Sequence, residues 1–327
     1  MLTLVFHSSG TDLVAEQRAE PDVANYDVLI RVEACGVCRT DLHVRAGELP
    51  DIDYPIVPGH QVVGWVVAAG TRSPVAIGER VGVAWLGWTC GQCDYCRTGR
   101  ENLCDAARFH GYQLDGGYAE YMRADGRYCF PLDPALPAAT TAPLLCAGLI
   151  GFRSLRMAGD ARRIGLYGFG SAAHIVTQVA THEKREIYAF TRPGDTDACE
   201  FALEIGATWA GGSDQPAPCD LDAALIFAPD GALVPKALKD VRKGGMIICA
   251  GIHMTDIPSF PYSHLWGERQ IRSVANLTRQ DGHDFMALAA EGFLQPRVTT
   301  YPLADANAAL ADLANGALTG TAVLMVD

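Results

Sequence analysis

The sequence lacks any run of about eighteen apolar residues, so it predicts no helix that spans a membrane. Its first residues lack the basic segment and long apolar stretch of a secretory signal, so the cytoplasm is the expected location. Basic residues are in deficit, since 26 Lys and Arg face 38 Asp and Glu and give a formal net charge of −12. This deficit argues against nucleic acid or an anionic membrane as partner, because both call for a basic surface.

Cysteine, in contrast, is abundant, with eleven residues in a chain of 327. Without a predicted export signal, so many cysteines indicate thiolate chemistry rather than disulfides. Five of them show no ligand spacing and are expected to pack as small apolar residues: Cys35, Cys129, Cys199, Cys219 and Cys249. The other six fall into two metal-binding patterns.

The first pattern is local and reads C-x2-C-x2-C-x7-C, formed by Cys90, Cys93, Cys96 and Cys104. Four thiolates within fifteen residues can enclose one tetrahedral ion, which suits a closed structural zinc site. Iron–sulfur cluster motifs have similar spacing, but they tend to carry a proline after the last cysteine, and here Asp105 follows. The pattern therefore favours zinc.

The second pattern joins Cys38, His60 and Cys146, which are far apart in sequence. One histidine and two cysteines match a catalytic zinc site, whose fourth tetrahedral position stays open. A histidine such as His60, alone in an apolar segment, would more often be a satisfied core residue. The residues just after Cys38 strengthen the catalytic interpretation.

Three polar side chains follow Cys38 on what is expected to be one short element. Thr40 offers a hydroxyl next to the reacting oxygen, and His43 can carry a proton outward. Asp41 can accept a hydrogen bond from the imidazole of the metal-binding histidine and so fix its tautomer.

The chain changes character along its length, and its 327 residues suggest two domains. Up to about residue 128, short alternating runs are separated by turn signals, which predicts a compact β-barrel or sandwich. From about residue 162 to 275, strand-like and helical runs alternate, which predicts a doubly wound parallel sheet. The carboxyl end closes with a single strand-like run, which is expected to pair back with the first domain.

A glycine turn, G-F-G-S-A-A from Gly168 to Ala173, lies between a predicted strand and a predicted helix. Such a turn lets a dinucleotide pyrophosphate approach the helix amino end, and Ala173 is small enough to replace the usual third glycine.

At the end of the next strand an NAD site needs an acid, whereas an NADP site has a nearby arginine. Here Thr191 and Arg192 come first and Asp195 is the first acid. The sequence thus predicts NADP(H) as the preferred cofactor, with NAD(H) as the alternative.

Taken together, G-V-C-R-T-D-L-H, P-G-H, the four-cysteine segment, P-L-L-C-A-G and G-F-G-S-A-A resemble, in order, the zinc-dependent alcohol dehydrogenases of the medium-chain dehydrogenase/reductase superfamily. The resemblance covers essentially the whole chain. It implies an α/β fold with a GroES-like β-rich catalytic domain and a Rossmann domain. The expected boundaries are 1–147 together with 277–327 for the catalytic domain, and 148–276 for the Rossmann domain.

The resemblance implies two zinc ions per chain, the catalytic one held by Cys38, His60 and Cys146 and the structural one by the four-cysteine segment. Thr40 and His43 would pass the alcohol proton. Trp85 and Trp88 would line the substrate pocket. With the glycine turn and Arg192, the expected cofactor contacts are Arg39, Gly168, Phe169, Gly170, Ser171, Ala173, Thr191, Arg192, Phe227, Ala228, Pro229, Ala250, Gly251 and Ile252.

Two residues depart from the family pattern. Relatives usually read G-H-E where this chain has Gln61, and many have an arginine where it has Thr321.

The expected function is interconversion of an alcohol and its aldehyde or ketone by a homodimer or homotetramer. The alternatives are a biosynthetic reductase of one elaborate aldehyde or enal, and a catalytically idle cofactor-binding regulator.

Overall fold

The structure, a computed structural model, describes residues 1–326. The strands are β1 (Leu2–Val5), β2 (Val14–Gln17), β3 (Asp27–Gly36), β4 (Val62–Ala69), β5 (Arg80–Val83), β6 (Leu86–Trp88), β7 (Arg108–Phe109), β8 (Tyr121–Asp125), β9 (Cys129–Pro131), β10 (Arg163–Tyr167), β11 (Glu186–Thr191), β12 (Trp209–Gly212), β13 (Leu221–Ile226), β14 (Val241–Cys249), β15 (Gln270–Ser273), β16 (Val298–Pro302) and β17 (Thr321–Met325).

The α-helices are α1 (Arg39–Ala46), α2 (Asp94–Arg97), α3 (Ala138–Thr141), α4 (Ala147–Met157), α5 (Ser171–His182), α6 (Thr196–Glu204), α7 (Leu233–Asp240), α8 (Tyr262–Leu265), α9 (Arg279–Ala289) and α10 (Ala306–Asn315). Four 3-10 turns cover Glu101–Leu103, Gly126–Tyr128, Ala142–Leu145 and Leu303–Asp305.

The chain divides into two compact units: unit 1 is Met1–Leu149 with Asn276–Asp327, and unit 2 is Ile150–Ala275. Unit 1 contains a seven-stranded sheet in the order β16-β17-β3-β4-β5-β9, with β8 also paired to β3. The carboxyl-terminal strand β17 runs antiparallel to β3, with Leu324 opposite Cys35. This pairing adds the end of the chain to the sheet that leads into Cys38.

Unit 2 is built on six parallel strands in the order β12-β11-β10-β13-β14-β15. In β10 four successive residues are buried, as in a parallel strand that is covered on both faces. The strand order reverses between β10 and β13, and open α/β sheets bind ligands beyond the carboxyl ends of their strands at such a point. The predicted α/β class, with a GroES-like domain and a Rossmann-type parallel sheet, is confirmed.

Within residues 1–326, no single helix has the length and apolarity needed to cross a bilayer. One bent pair, 138–145 with 147–157, meets the length and composition criteria, which buried core helices also meet.

Candidate metal centres and cofactor site

Cys38 lies at the junction between β3 and α1. It occupies the N-cap of α1 in an extended conformation, and its backbone N–H donates to Asp41 Oδ2 at 2.8 Å. Thr40 Oγ1 is 3.7 Å from Cys38 Sγ, and Thr40 is buried. An aspartate at the third helical position therefore fixes the backbone that presents the Cys38 thiol.

His60 follows a glycine whose conformation is strained for any other residue. Gly59 has φ +96, and a Cβ there would lie 2.4 Å from the ring of Tyr118. Asp41 Oδ1 accepts from the Gly59 N–H at 3.3 Å and lies 3.4 Å from His60 Nδ1. Since Asp41 holds the Nδ1 side, the other imidazole nitrogen is the one available to a metal.

Cys146 completes a set of three ligand atoms. It directly follows the 3-10 turn Ala142–Leu145, and its Sγ lies 4.0 Å from Cys38 Sγ. The ligand atoms of Cys38, His60 and Cys146 all lie within 4.8 Å of one another. Two thiolates on a tetrahedral zinc, each about 2.3 Å from the metal, would be about 3.8 Å apart. His60 Nε2 is buried and has no hydrogen-bond partner among residues 1–326. The three side chains therefore fit a zinc ion.

The three side chains of this set shift one another's pKa values. Two contacts hold the pKa of Cys38 well below its usual range, although burial alone would raise it. The contact with Cys146 has the larger effect, and the contact with His60 adds to it. The Cys38 thiolate in turn raises the pKa of Cys146 well above its usual range. Burial opposes protonation of His60, but Asp41 and Cys38 outweigh it and raise its pKa to about 10. A cation bound here would displace the protons from Cys146 and His60, so we expect metal uptake to release protons.

His43 lies on α1 and has an acidic partner that the sequence analysis missed. Gly47, with φ +71, ends α1 in a left-handed cap, and the N–H of Glu48 then bonds to the carbonyl of His43 at 3.0 Å. The same turn brings Glu48 Oε2 to 2.5 Å from His43 Nδ1. The glycine directly before Glu48 was the available signal, because such caps fold the chain back on the last helical turn.

Gln61 is 1% exposed and packs over Gly36, where a Cβ would lie 2.9 Å from the Gln61 amide. Its Oε1 finds no hydrogen-bond donor in the described part of the chain. The other departure from the family pattern, Thr321, is buried at the start of β17.

The four predicted cysteines of the second set also converge, with all four Sγ atoms within 4.8 Å of one another. The Sγ atoms of Cys90 and Cys96 are 3.9 Å apart, close to the spacing on a tetrahedral zinc. Cys90 Sγ accepts from the N–H of Cys93 at 3.4 Å, and Cys93 Sγ accepts from the N–H of Cys96 at 3.5 Å. Backbone N–H groups of Gln92 and Cys93 lower the pKa of Cys90 to about 6. These groups stabilise thiolates and fit a closed metal site.

An aromatic stack lies beside the three-residue set. Trp85 is 6.3 Å from His60 between ring centroids, and it stacks on Phe109 at 4.2 Å. Tyr112 is 6.3 Å from Trp85. Trp85 was predicted to line the substrate pocket, whereas Phe109 and Tyr112 were not predicted. Trp88, the other tryptophan predicted there, pairs with Arg108 across β6 and β7.

In unit 2 the glycine turn connects β10 to α5. Gly168 has φ +90, and a Cβ there would lie 2.7 Å from that of Ala228, which follows β13. A Cβ at Gly170, the N-cap of α5, would meet nothing within 4 Å, so the helix amino end is open to a ligand. Ala173 is fully buried under the turn. A free amino end beside the switch point is suited to a pyrophosphate.

The polar residues at and after the end of β11 differ in their hydrogen-bond partners. Thr191 is buried, and its hydroxyl contacts Cys199 Sγ at 3.2 Å. Asp195 caps α6 by accepting from the N–H of Ala198 at 3.0 Å. Arg192 is exposed, and within residues 1–326 its guanidinium forms no hydrogen bond or ion pair. The first acid after the strand is thus engaged in capping, while the arginine is free for an anion.

The remaining predicted cofactor contacts occupy loops or helix starts. Ala250, which is buried, and Gly251 follow β14, and Ile252 is 47% exposed. Phe169 packs edge-on against Phe201 at 6.1 Å. In unit 1 the predicted contact Arg39 is exposed at the first turn of α1.

Comparisons with known proteins agree with this architecture. The family described as "Alcohol dehydrogenase GroES-like domain" matches residues 24–134. A probable alcohol dehydrogenase of Mycobacterium tuberculosis is 45% identical over 315 residues, covering 94% of this chain and 90% of that protein. A thermostable alcohol dehydrogenase of Pyrobaculum aerophilum, solved with cobalt and zinc bound, has a TM-score of 0.90 at 24% identity, with 99% of each chain covered. CAD from Helicobacter pylori, solved in complex with NADP(H), has a TM-score of 0.90 at 22% identity, covering 99% of this chain and 97% of that one.

Proposed function

This chain belongs to the alcohol dehydrogenases of the medium-chain dehydrogenase/reductase superfamily, and we propose that it uses zinc and preferentially NADP(H) to interconvert an alcohol with its aldehyde or ketone. The observation that carries the proposal is the convergence of Cys38, His60 and Cys146 around a buried, unpartnered imidazole nitrogen. Assembly as a homodimer or homotetramer and a cytoplasmic location stay predictions.

Zinc held by Cys38, His60 and Cys146 would supply Lewis acidity, which lowers the pKa of an alcohol and polarises a carbonyl. Two thiolates and a neutral imidazole would balance the charge of such an ion and supply three of its four ligands. A second zinc in the four-cysteine set would be structural. The Pyrobaculum relative of the same fold, described with cobalt and zinc bound, is consistent with metal at such sites.

We assign proton transfer to Thr40 and His43. The hydroxyl of Thr40, beside Cys38 Sγ, would accept the proton that leaves the alcohol and pass it on towards His43. Glu48, hydrogen-bonded to His43 Nδ1, would orient that imidazole. A bound nicotinamide would supply the hydride acceptor, so that the alcohol would lose a hydride and a proton in total.

The cofactor proposal rests on the glycine turn and on Arg192. The open amino end of α5 would bind the pyrophosphate, and Arg192 would pair with a 2′-phosphate. The Helicobacter relative of the same fold was solved with NADP(H), which is consistent with this preference. The other proposed contacts are Arg39, Phe169, Ser171, Ala173, Thr191, Phe227, Ala228, Pro229, Ala250, Gly251 and Ile252.

A metal assay combined with an activity screen tests the proposal. We expect about two zinc ions per chain, and turnover of an alcohol or carbonyl panel that is faster with NADP(H) than with NAD(H). Rates in both directions separate a general alcohol dehydrogenase from a dedicated reductase. Two zinc ions and bound cofactor without turnover of any panel member would instead favour the idle regulator.

Replacing Arg192 with alanine should raise KM for NADP(H) about ten- to a hundredfold and leave KM for NAD(H) nearly unchanged. The reason is that a charge-assisted contact contributes about 1.5–3 kcal/mol, and only NADP(H) carries the 2′-phosphate. Arg162→Ala is the matched control, since it removes the same charge just before the amino end of β10. Equal losses with both cofactors would contradict the assignment.

Replacing Asp41 with asparagine should weaken zinc binding at the three-residue set about ten- to a hundredfold, the usual effect of losing a hydrogen-bond partner behind a ligand. The asparagine NH2 group would face the backbone N–H of either Cys38 or Gly59, because only one acceptor oxygen is left for the two donors, and the charge next to His60 would be lost. Competition with a chromogenic chelator measures the affinity. Asp53→Asn, at an exposed site in the same unit, is the control, and wild-type affinity in Asp41→Asn would contradict the role.

A further inference from the structure

Two buried tyrosines lie behind the two candidate metal sets in unit 1. Tyr118 is fully buried, and Tyr128 is 4% exposed. Neither hydroxyl reaches a metal ligand directly. Each bonds instead to one intermediate residue, and that residue contacts a ligand.

Tyr118 acts on the three-residue set through Asp41. Its hydroxyl donates to Asp41 Oδ2 at 3.2 Å, the oxygen that also accepts from the N–H of Cys38. Burial first, and the Asp41 charge second, raise the pKa of Tyr118 well above its usual range, so the hydroxyl keeps its proton and donates. Asp41 in turn lies 3.4 Å from His60 Nδ1. The phenol therefore helps to hold the carboxylate that orients two of the three ligands.

The Tyr118 ring has a second effect on the same set. It packs against Gly59 so closely that a Cβ there would lie 2.4 Å from the ring. The ring thereby covers the backbone turn that delivers His60. A phenylalanine would keep this packing and lose only the hydrogen bond, so Tyr118→Phe isolates the contribution of the hydroxyl.

Tyr128 has the corresponding position behind the four-cysteine set. Its hydroxyl is 2.7 Å from Thr89 Oγ1, and Thr89 Oγ1 is 3.4 Å from Cys96 Sγ. A thiolate can only accept, so with a metal bound Thr89 donates its single proton to Cys96. The Tyr128 hydroxyl must then be the donor to Thr89. In a metal-bound set the donors would therefore run in the order Tyr128, Thr89, Cys96.

We infer that Tyr118 and Tyr128 are positioning residues, each of which stabilises one metal centre through a single intermediate, Asp41 or Thr89. The inference rests on the proposed occupancy of both sets by zinc. Hydrogen-bond partners behind metal ligands commonly contribute ten- to a hundredfold in affinity, and a group one bond further out is expected near the low end, about tenfold.

The experiment follows zinc release from the full-length protein to a chromogenic chelator. Wild type should release two equivalents in two phases, and Cys38→Ser, which disrupts the three-residue set, identifies the phase that belongs to it. Tyr118→Phe should speed that phase about tenfold and leave the other unchanged. Tyr128→Phe should do the reverse. Each variant is the matched control for the other, because each removes one buried phenol hydroxyl from the same unit.

Double variants test the route. If Tyr118 acts through Asp41, adding Tyr118→Phe to Asp41→Asn should speed release much less than about tenfold further. The same holds for Tyr128→Phe added to Thr89→Val. Unchanged phases in both single variants, equal acceleration of both phases, or fully multiplicative double variants would overturn the inference and leave the two-zinc proposal intact. A wild type with about one zinc per chain would overturn both.

Discussion

Replacing Cys38 with serine should leave a folded protein that binds NADP(H) normally. Its rate of alcohol oxidation should fall by at least about a thousandfold. A hydroxyl is a poor substitute for a thiolate ligand, so the three-residue set should lose its metal. The Lewis-acid contribution to such a reaction is several kcal/mol, and each about 1.4 kcal/mol corresponds to tenfold in rate. The measurements are zinc content, kcat/KM and the Kd for cofactor.

Cys35→Ser is the matched control for this prediction. Cys35 lies three residues from Cys38 and is fully buried, but it belongs to neither metal set, and its Sγ donates to the carbonyl of Gly36 at 3.7 Å. It should keep two zinc ions and turnover close to wild type. Comparable activity losses in the two variants would indicate damage to the fold around β3, and a fully active Cys38→Ser would refute its role as a ligand.

The Rossmann sheet was readable from the sequence because its signals are local. Continuous apolar runs such as β10 and β13 alternate with helical periodicity, and the glycine turn marks where the first strand ends. The edge strand β12 has no such local signal. It has only four residues, two of them glycines, and it is defined by pairing with β11 rather than by its own pattern.

The sheet of unit 1 was less readable, for the same reason. Its class followed from short alternating runs, but its order depends on pairings between distant segments, such as β3 with β8 and with β17. Nothing in the composition of these strands specifies which of them meet. The alternation of apolar residues restricts the register once two strands are paired, but it does not say which strands pair.

The candidate site also has a part that could be predicted from the sequence and a part that could not. The four-cysteine set could be predicted as a unit, since its spacing closes over fifteen residues. In the other set Asp41 was predicted as the partner of the histidine, because it lies close to Cys38 in sequence. The residues packed around that set could not be predicted, because they come from elsewhere in the chain: Tyr118 lies 77 residues from Asp41, and Phe109 reaches Trp85 across a strand pair. Glu48 is the exception, since it is close in sequence and was overlooked at a recognisable glycine cap.

Replacing Cys104 with serine should lower the melting temperature by about 10 °C, since structural zinc contributes directly to folding free energy. Cys104 is the one buried ligand of its set, 6% exposed, and it directly follows the 3-10 turn Glu101–Leu103. The buried Glu101 anchors this segment by accepting from the backbone N–H of Arg279 at 2.9 Å and from its Nε at 3.3 Å. Loss of the metal should therefore loosen α9 as well. A loss of about 3–5 kcal/mol corresponds to such a shift for a unit of this size.

Differential scanning calorimetry of wild type and Cys104→Ser, each with and without chelator, tests this prediction. Chelator should lower the Tm of wild type towards that of the variant, and it should change the variant little, because the metal that stabilises the segment is already absent. Cys129→Ser is the matched control, since Cys129 is equally buried at 4% exposure and lies outside both metal sets. A Tm for Cys104→Ser equal to that of Cys129→Ser would mean that no metal held by the four cysteines stabilises the fold. In that case the closed zinc site would have to be abandoned, while the catalytic set around Cys38 would be unaffected.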